Sequence, residues 1–285
     1  IDLGKLSPSG PRGRIVARDV EALAAKAPPA AGVPSLKPAG DSARVIALYE
    51  PGSFEEVPLE NMRRIIAARL IEAKQTIPHF YLTADVTIER LLEVREETNA
   101  IAPKNSDGQP SYRLSVNDFV VKALALALLR VPAANAVWAQ DRILRFRNAD
   151  IGVAVAIDGG LITPVIRKAD TKSILVISAE MKDLAERARA RRLKPHEFQG
   201  GASAVSNLGM YGVREFAAII NPPHATILAV GAGERRPIET EDGFRFVSRM
   251  TVTLSCDHRV VDGAFGAELL AAFKSLIEHP VGLLM

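Results

Sequence analysis

The stretch I-G-V-A-V-A-I-D-G-G-L-I-T-P-V-I, residues 151–166, decides the fold. Two apolar runs meet at Asp158-Gly159-Gly160, and such a junction signals a hairpin because glycine reaches the positive φ that tight strand-to-strand turns need. A plain hairpin makes neighbouring strands antiparallel, which strict βαβ alternation does not allow. Working outward, strand-like and helix-like segments mix without regular alternation, so the expected class is α/β (α+β), a mixed sheet with helices packed against it. The dinucleotide alternative fails on G-A-G-E-R-R, residues 231–236, where Arg236 occupies the place of the third glycine.

The flanking segments supply the elements. R-V-I-A-L-Y, residues 44–49, reads as a strand. P-L-E-N-M-R-R-I-I-A-A-R-L-I-E-A-K-Q-T spaces its apolar residues as an amphipathic helix that ends before Pro78. H-F-Y-L-T-A-D-V-T alternates as a strand, and I-E-R-L-L-E-V-R-E-E-T-N follows as a helix. S-V-N-D-F-V-V-K-A-L-A-L-A-L-L-R is apolar almost all round, so that helix should be buried, capped by Ser115 or Asn117. A basic helix is expected over 173–192, strands at 202–207, 225–231 and 249–256, and a last helix from Gly263 to about Glu278. The final P-V-G-L-L-M, residues 280–285, reads as exposed apolar sequence that docks into a neighbouring trimer.

Upstream, residues 24–42 are rich in Ala and Pro and read as a semi-stiff linker between a short module, residues 1–23, and a core domain, residues 43–285. The chain starts at Ile1 and reads as a fragment. Hydrophobic residues make up 48% and charged residues 24%, the profile of a soluble globular protein. With 36 basic and 33 acidic residues, the net charge of +3 is too balanced to suggest nucleic acid. No apolar stretch is long enough to span a bilayer, so no membrane partner is expected. The single cysteine, Cys256, excludes an internal disulfide and a Cys-based zinc site, and it fits a reducing compartment.

Chemistry gathers in T-L-S-C-D-H-R-V-V-D-G-A-F, residues 253–265. Alternation points Val252, Leu254 and Cys256 to one face and Thr251, Thr253 and Ser255 to the other. His258 lies just past the strand end, either as a packed residue beside a helix cap or as a general base near neutrality. Asp262 stands where a helix cap is needed. A second block, G-G-A-S-A-V-S-N-L-G-M-Y-G at 200–212, carries Ser203, Ser206 and Asn207. Neither serine has the Gly-x-Ser-x-Gly flanks of a hydrolase nucleophile, but a serine hydroxyl can still donate to a developing oxyanion.

D-H-R-V-V-D-G, with S-N-L-G-M-Y-G-V-R-E-F-A-A-I-I-N-P-P, resembles the dihydrolipoamide acyltransferase family, the E2 components of 2-oxo acid dehydrogenase complexes. N-M-R-R-I-I-A-A-R-L-I-E-A-K-Q-T-I-P-H-F-Y-L and G-L-I-T-P-V-I-R add to the likeness, which covers residues 43–285. The I-P-H-F-Y-L and S-N-L-G-M-Y-G blocks look most like the acetyl-transferring pyruvate dehydrogenase member. G-P-R-G-R-I-V-A-R-D-V-E, within 1–23, is similar to the C-terminal part of the peripheral subunit-binding domain.

The resemblance implies a chloramphenicol-acetyltransferase-like fold built as trimers. It implies His258 as base, Asp262 as its motif partner and Ser206 as oxyanion donor, with Asn207, Gly231 and Gly233 lining the coenzyme A path. Coenzyme A is then a substrate, and the lipoyl group rides on a domain absent from this chain; no metal is implied. Homotrimers would assemble into a large cubic or dodecahedral core, with E1 and E3 held through Arg12, Arg14 and Arg18. The implied setting is bacterial cytoplasm or mitochondrial matrix. Alternatives are an E2 for succinyl or branched-chain groups, or a non-catalytic scaffold. His79 is expected to be structural, and His224 is given no role.

Overall fold

A computed structural model describes residues 42–241 and 243–284. Arg12, Arg14, Arg18, the 1–23 module and nearly all of the 24–42 linker lie outside these described residues. The chain divides after Pro58 into two units. In the first, Ser42–Ile46 forms a short helix, α1, with no buried residue. The expected strand at 44–49 is therefore wrong. Val45, Ile46, Leu48 and Tyr49 are all exposed, and no strand within the described residues pairs with them. β-Propensity in an apolar run makes a strand only where a sheet receives it.

The second unit begins at Leu59. Its elements are α2 (Asn61–Thr76), β1 (His79–Thr87), α3 (Glu89–Ala100), α4 (Val116–Arg130), β2 (Ala136–Trp138), β3 (Ile143–Arg145), β4 (Ile151–Val153), β5 (Val155–Ile157), β6 (Gly160–Ile162), β7 (Val165–Ile166), α5 (Ile174–Arg189), β8 (Ser203–Asn207), β9 (Thr226–Thr240), β10 (Gly243–Asp257) and α6 (Gly263–Glu278). Six strands form one sheet in the order β1-β10-β9-β8-β4-β7. β8 runs parallel to both β9 and β4, and the other pairs are antiparallel. The sheet is mixed, as expected.

The 151–166 hairpin holds one register throughout. Ile157 pairs with Gly160 and Val155 with Ile162 in the outer half; Ile151 pairs with Ile166 in the inner half. Gly159 has φ +84°, the left-handed geometry that its turn requires. The inner half joins the main sheet, and the outer half forms a two-stranded ribbon.

Ten of the fifteen residues of α4 are buried, as its all-round apolar sequence demands. Ser115 is its cap, closed by Asp118, whose carboxylate accepts from the Ser115 amide at 2.7 Å. α3, α4 and α6 pack on one sheet face through Leu91, Val94, Phe119, Leu124, Leu269 and Phe273. Val252, Leu254 and Cys256 point into that core. The opposite face carries a smaller cluster of Ala73, Ile77, Ala204, Ile220 and Ile227. There Thr83 and Thr253 share a 3.0 Å hydrogen bond, and Ser255 donates to the Ala218 carbonyl at 2.7 Å.

Two expectations need adjustment. β9 and β10 are each fifteen residues, far longer than expected, because they continue as one paired ribbon past the sheet. At the C-terminus Leu283 is not exposed; it is fully buried in the main core, and Val281, Gly282 and Leu284 are exposed.

Candidate active site

β10 ends at Asp257, and His258 opens the turn that leads to α6. The backbone there is tightly held. The His258 amide donates to the Pro78 carbonyl at 3.1 Å, and the Val260 and Val261 amides both donate to the Asp257 carbonyl. The imidazole is exposed and lies against Phe80, ring centroids 4.8 Å apart. Among the described residues neither ring nitrogen has a hydrogen-bond partner. A packed core histidine is thus ruled out, and the ring is open to groups from outside this chain.

Asp262 caps α6: its carboxylate accepts from the Phe265 amide at 2.9 Å. It does not hold Arg259, which Asp257 takes instead through a 2.7 Å ion pair. Gly263 opens the helix, and a Cβ there would meet no atom within 4 Å. Cys256 is buried in the core, and burial pushes its thiol up to about 12, so it is a packing residue and not a nucleophile.

Ser206 sits on β8, and its hydroxyl has no partner among the described residues. It lines a cavity of about 790 Å³ together with Asn207, Gly231, Gly233, Arg189 and Arg235. The Asn207 side chain accepts from the Gly209 amide at 2.9 Å and donates to Asn117 at 3.3 Å, which fixes the strand end to the start of α4. Gly231 lies at a register shift between β9 and β10. A Cβ on it would fall 1.9 Å from the Arg214 carbonyl oxygen, so only glycine lets residues 213–214 cross the ribbon here. A Cβ on Gly233 would come within 2.9 Å of Ile88. These two glycines shape the wall by admitting neighbours, a role their spacing did not reveal.

His258 does not line this cavity. Ser206 aligns with Ala229, and Ala229 with Thr253. His258 lies five residues beyond Thr253 and two strands across, which puts the two groups on the order of 20 Å apart in one chain. Ser206 is thus level with the interior of β9 and β10, and His258 lies beyond the end of β10.

Other polar groups nearby escaped the sequence reading. Arg189 and Arg235 lie far apart in sequence and meet only at the cavity. His79 is structural, as expected: its Nδ1 lies 2.9 Å from the Ile77 carbonyl, and its Nε2 accepts from the Ile220 amide at 3.1 Å. His224 is buried against the backbone of Gly152 and Gly201, with neither ring nitrogen hydrogen-bonded. Burial drives its pKa down to about 4, and the nearby backbone of Asn221 and Gly200 opposes this only in part.

Known proteins are similar to this chain in sequence and fold. The chain is 54% identical over 293 residues to the dihydrolipoyllysine-residue acetyltransferase component of the pyruvate dehydrogenase complex of Rhizobium meliloti; the match spans the whole chain but 65% of that protein's length, so this chain covers less than two thirds of that relative. A solved structure of Azotobacter vinelandii dihydrolipoamide acetyltransferase, reported for the roles of a serine, a histidine and an asparagine in its catalytic mechanism, superposes with TM-score 0.78 at 31% identity. It covers 87% of this chain and 99% of that one. The cubic core of the pyruvate dehydrogenase multienzyme complex superposes equally well, with TM-score 0.78, 30% identity and the same coverage. Residues 1–21 match the model of the e3 binding domain. With residues 51–285 matching the 2-oxoacid dehydrogenases acyltransferase (catalytic domain) model, the chain belongs to that acyltransferase family.

Proposed function

We propose that this chain transfers an acetyl group between S-acetyldihydrolipoamide and coenzyme A, as the E2 core of a pyruvate dehydrogenase complex. Residues 43–285 are its catalytic domain and 24–42 its linker. Residues 1–23 are part of the subunit-binding module, with Arg12, Arg14 and Arg18 facing E1 or E3. The working unit is a homotrimer within a large cubic or dodecahedral core, in bacterial cytoplasm or mitochondrial matrix.

One observation carries the reading. In the Azotobacter structure 52 residues separate the catalytic serine from the histidine, and four separate the histidine from the asparagine; the same 52 and four separate Ser206, His258 and Asp262. The separation within one chain then has a purpose. A threefold, head-to-tail ring brings His258 of one copy to Ser206 of the next. The cavity is of the size that small-molecule sites have.

In this site His258 takes the thiol proton of coenzyme A, and the thiolate attacks the acetyl carbonyl. The hydroxyl of Ser206 donates to the oxyanion of the tetrahedral intermediate. Collapse breaks the bond to the lipoyl sulfur, which leaves with the proton held by the imidazolium. One carbon–sulfur bond forms, one breaks, and one proton moves between sulfurs. Asn207, Gly231 and Gly233 line the coenzyme A path.

The test is transfer from acyl-coenzyme A to free dihydrolipoamide. His258→Ala abolishes turnover and leaves particle size unchanged; near-normal turnover overturns the mechanism. Acetyl-coenzyme A outpaces succinyl- and isobutyryl-coenzyme A, and faster succinyl or isobutyryl transfer reassigns the chain to a related 2-oxo acid.

A further inference from the structure

The turn that carries His258 is bracketed by its own neighbours. Asp257 is buried, 2% exposed, and a carboxylate in that position needs donors. Among the described residues Arg259 supplies all of its side-chain hydrogen bonds. The Arg259 amide donates to Oδ1 at 3.0 Å, its Nε to the same oxygen at 2.9 Å, and a terminal nitrogen to Oδ2 at 2.7 Å. This is a fork-to-fork pair closed across two residues, and the residue enclosed is His258. The far face of the guanidinium is covered by Trp138, at 5.2 Å from the ring centroid. Trp138 arrives from the β2–β3 hairpin, more than a hundred residues away in sequence.

We propose that Asp257, Arg259 and Trp138 form a clamp that positions the imidazole of His258. The inference rests on His258 being the base. The clamp acts through geometry. The amide and guanidinium contacts fix the backbone on either side of His258, and the Pro78 carbonyl fixes its amide. With the backbone set, the imidazole has few rotamers left, and Phe80 on one side narrows them further. The indole shields the ion pair from water, which strengthens it. Arg259 is thus a positioning residue whose charge is spent on Asp257.

The experiment uses the assembled full-length protein, with free dihydrolipoamide and acetyl-coenzyme A. Arg259→Lys keeps the charge but loses the fork. It lowers kcat by about 10²-fold, the scale of a small misplacement of a catalytic group, and leaves both KM values within about twofold. Trp138→Ala lowers kcat in the same way, and Trp138→Phe, which restores an aromatic face, recovers part of the loss. Asp257→Asn combined with Arg259→Lys is no worse than the more damaging single change, because the groups act as one unit. Melting curves exclude unfolding as the cause. A raised KM for coenzyme A at unchanged kcat would make Arg259 a substrate contact, and wild-type kcat in Arg259→Lys would make it a surface pair; either overturns the clamp. His258→Ala is assayed alongside. If it retains turnover the base assignment fails, whereas an inactive His258→Ala beside a normal Arg259→Lys defeats the clamp alone.

Discussion

Asp262 and His224 show how one side chain's surroundings separate a chemical role from a structural one. The Asp262 carboxylate is engaged as the α6 cap, and asparagine caps a helix as well as aspartate does. Asp262→Asn therefore keeps activity and melting temperature near wild type, and Asp262→Ala loses roughly 1 kcal/mol of stability. Thermal melts and turnover check both; a tenfold activity loss in Asp262→Asn would show that the negative charge itself is needed. His224 is an acid-sensitive group. Its folded pKa, about 4, lies below the ordinary value of 6.5, so the unfolded chain binds the proton more readily. Its contribution to stability is complete above pH 6.5 and disappears as pH falls toward 4. His224→Gln removes the titrating group, and denaturant midpoints between pH 6.5 and 4 fall less steeply than in wild type. Equal slopes in the two proteins would contradict the assignment.

At the scale of elements, Gly231 joins the β9–β10 ribbon to the segment that crosses it. Gly231→Ala has to displace backbone, since its Cβ would sit 1.9 Å from the Arg214 carbonyl oxygen. It lowers stability by about 2–4 kcal/mol, in the upper range for single substitutions, as read from urea midpoints; a change under about 0.5 kcal/mol would mean the crossing moves freely. No sequence pattern announced this contact, because the 213–214 segment has no periodicity and approaches from outside the ribbon. What was legible was local. Asp158-Gly159 announced the hairpin, and the all-round apolar run of α4 announced its burial. Alternation in 251–256 separated the core face from the polar face. What failed depended on partners. The run at 44–49 had β-propensity but no strand to pair with, and the β9–β10 ribbon outran its apolar stretch because pairing carried it on. Leu283 looked exposed until α3, α4 and α6 closed over it. Neither the Asp257–Arg259 pair nor the Trp138 contact on it was read from the sequence, and Trp138 comes from a distant hairpin.

For the whole molecule, His258 and Ser206 were both visible in the sequence, and their separation was not. Only strand register shows that Ser206 lies level with Thr253 inside the sheet while His258 stands past the end of β10. Under the proposed function, a chain whose base and donor lie this far apart completes its site with another copy. The direct measurement is the turnover of particles co-assembled from equal amounts of His258→Ala and Ser206→Ala chains, with mixing confirmed by two affinity tags. Alone, His258→Ala is inactive, and Ser206→Ala is slowed about 10²-fold by loss of one oxyanion donor. In mixed particles a head-to-tail ring pairs an intact His258 with an intact Ser206 at roughly a quarter of the interfaces. The account predicts recovery to about a quarter of wild-type turnover. Turnover no higher than the weighted mean of the two mutants would contradict it and place both groups within a single chain.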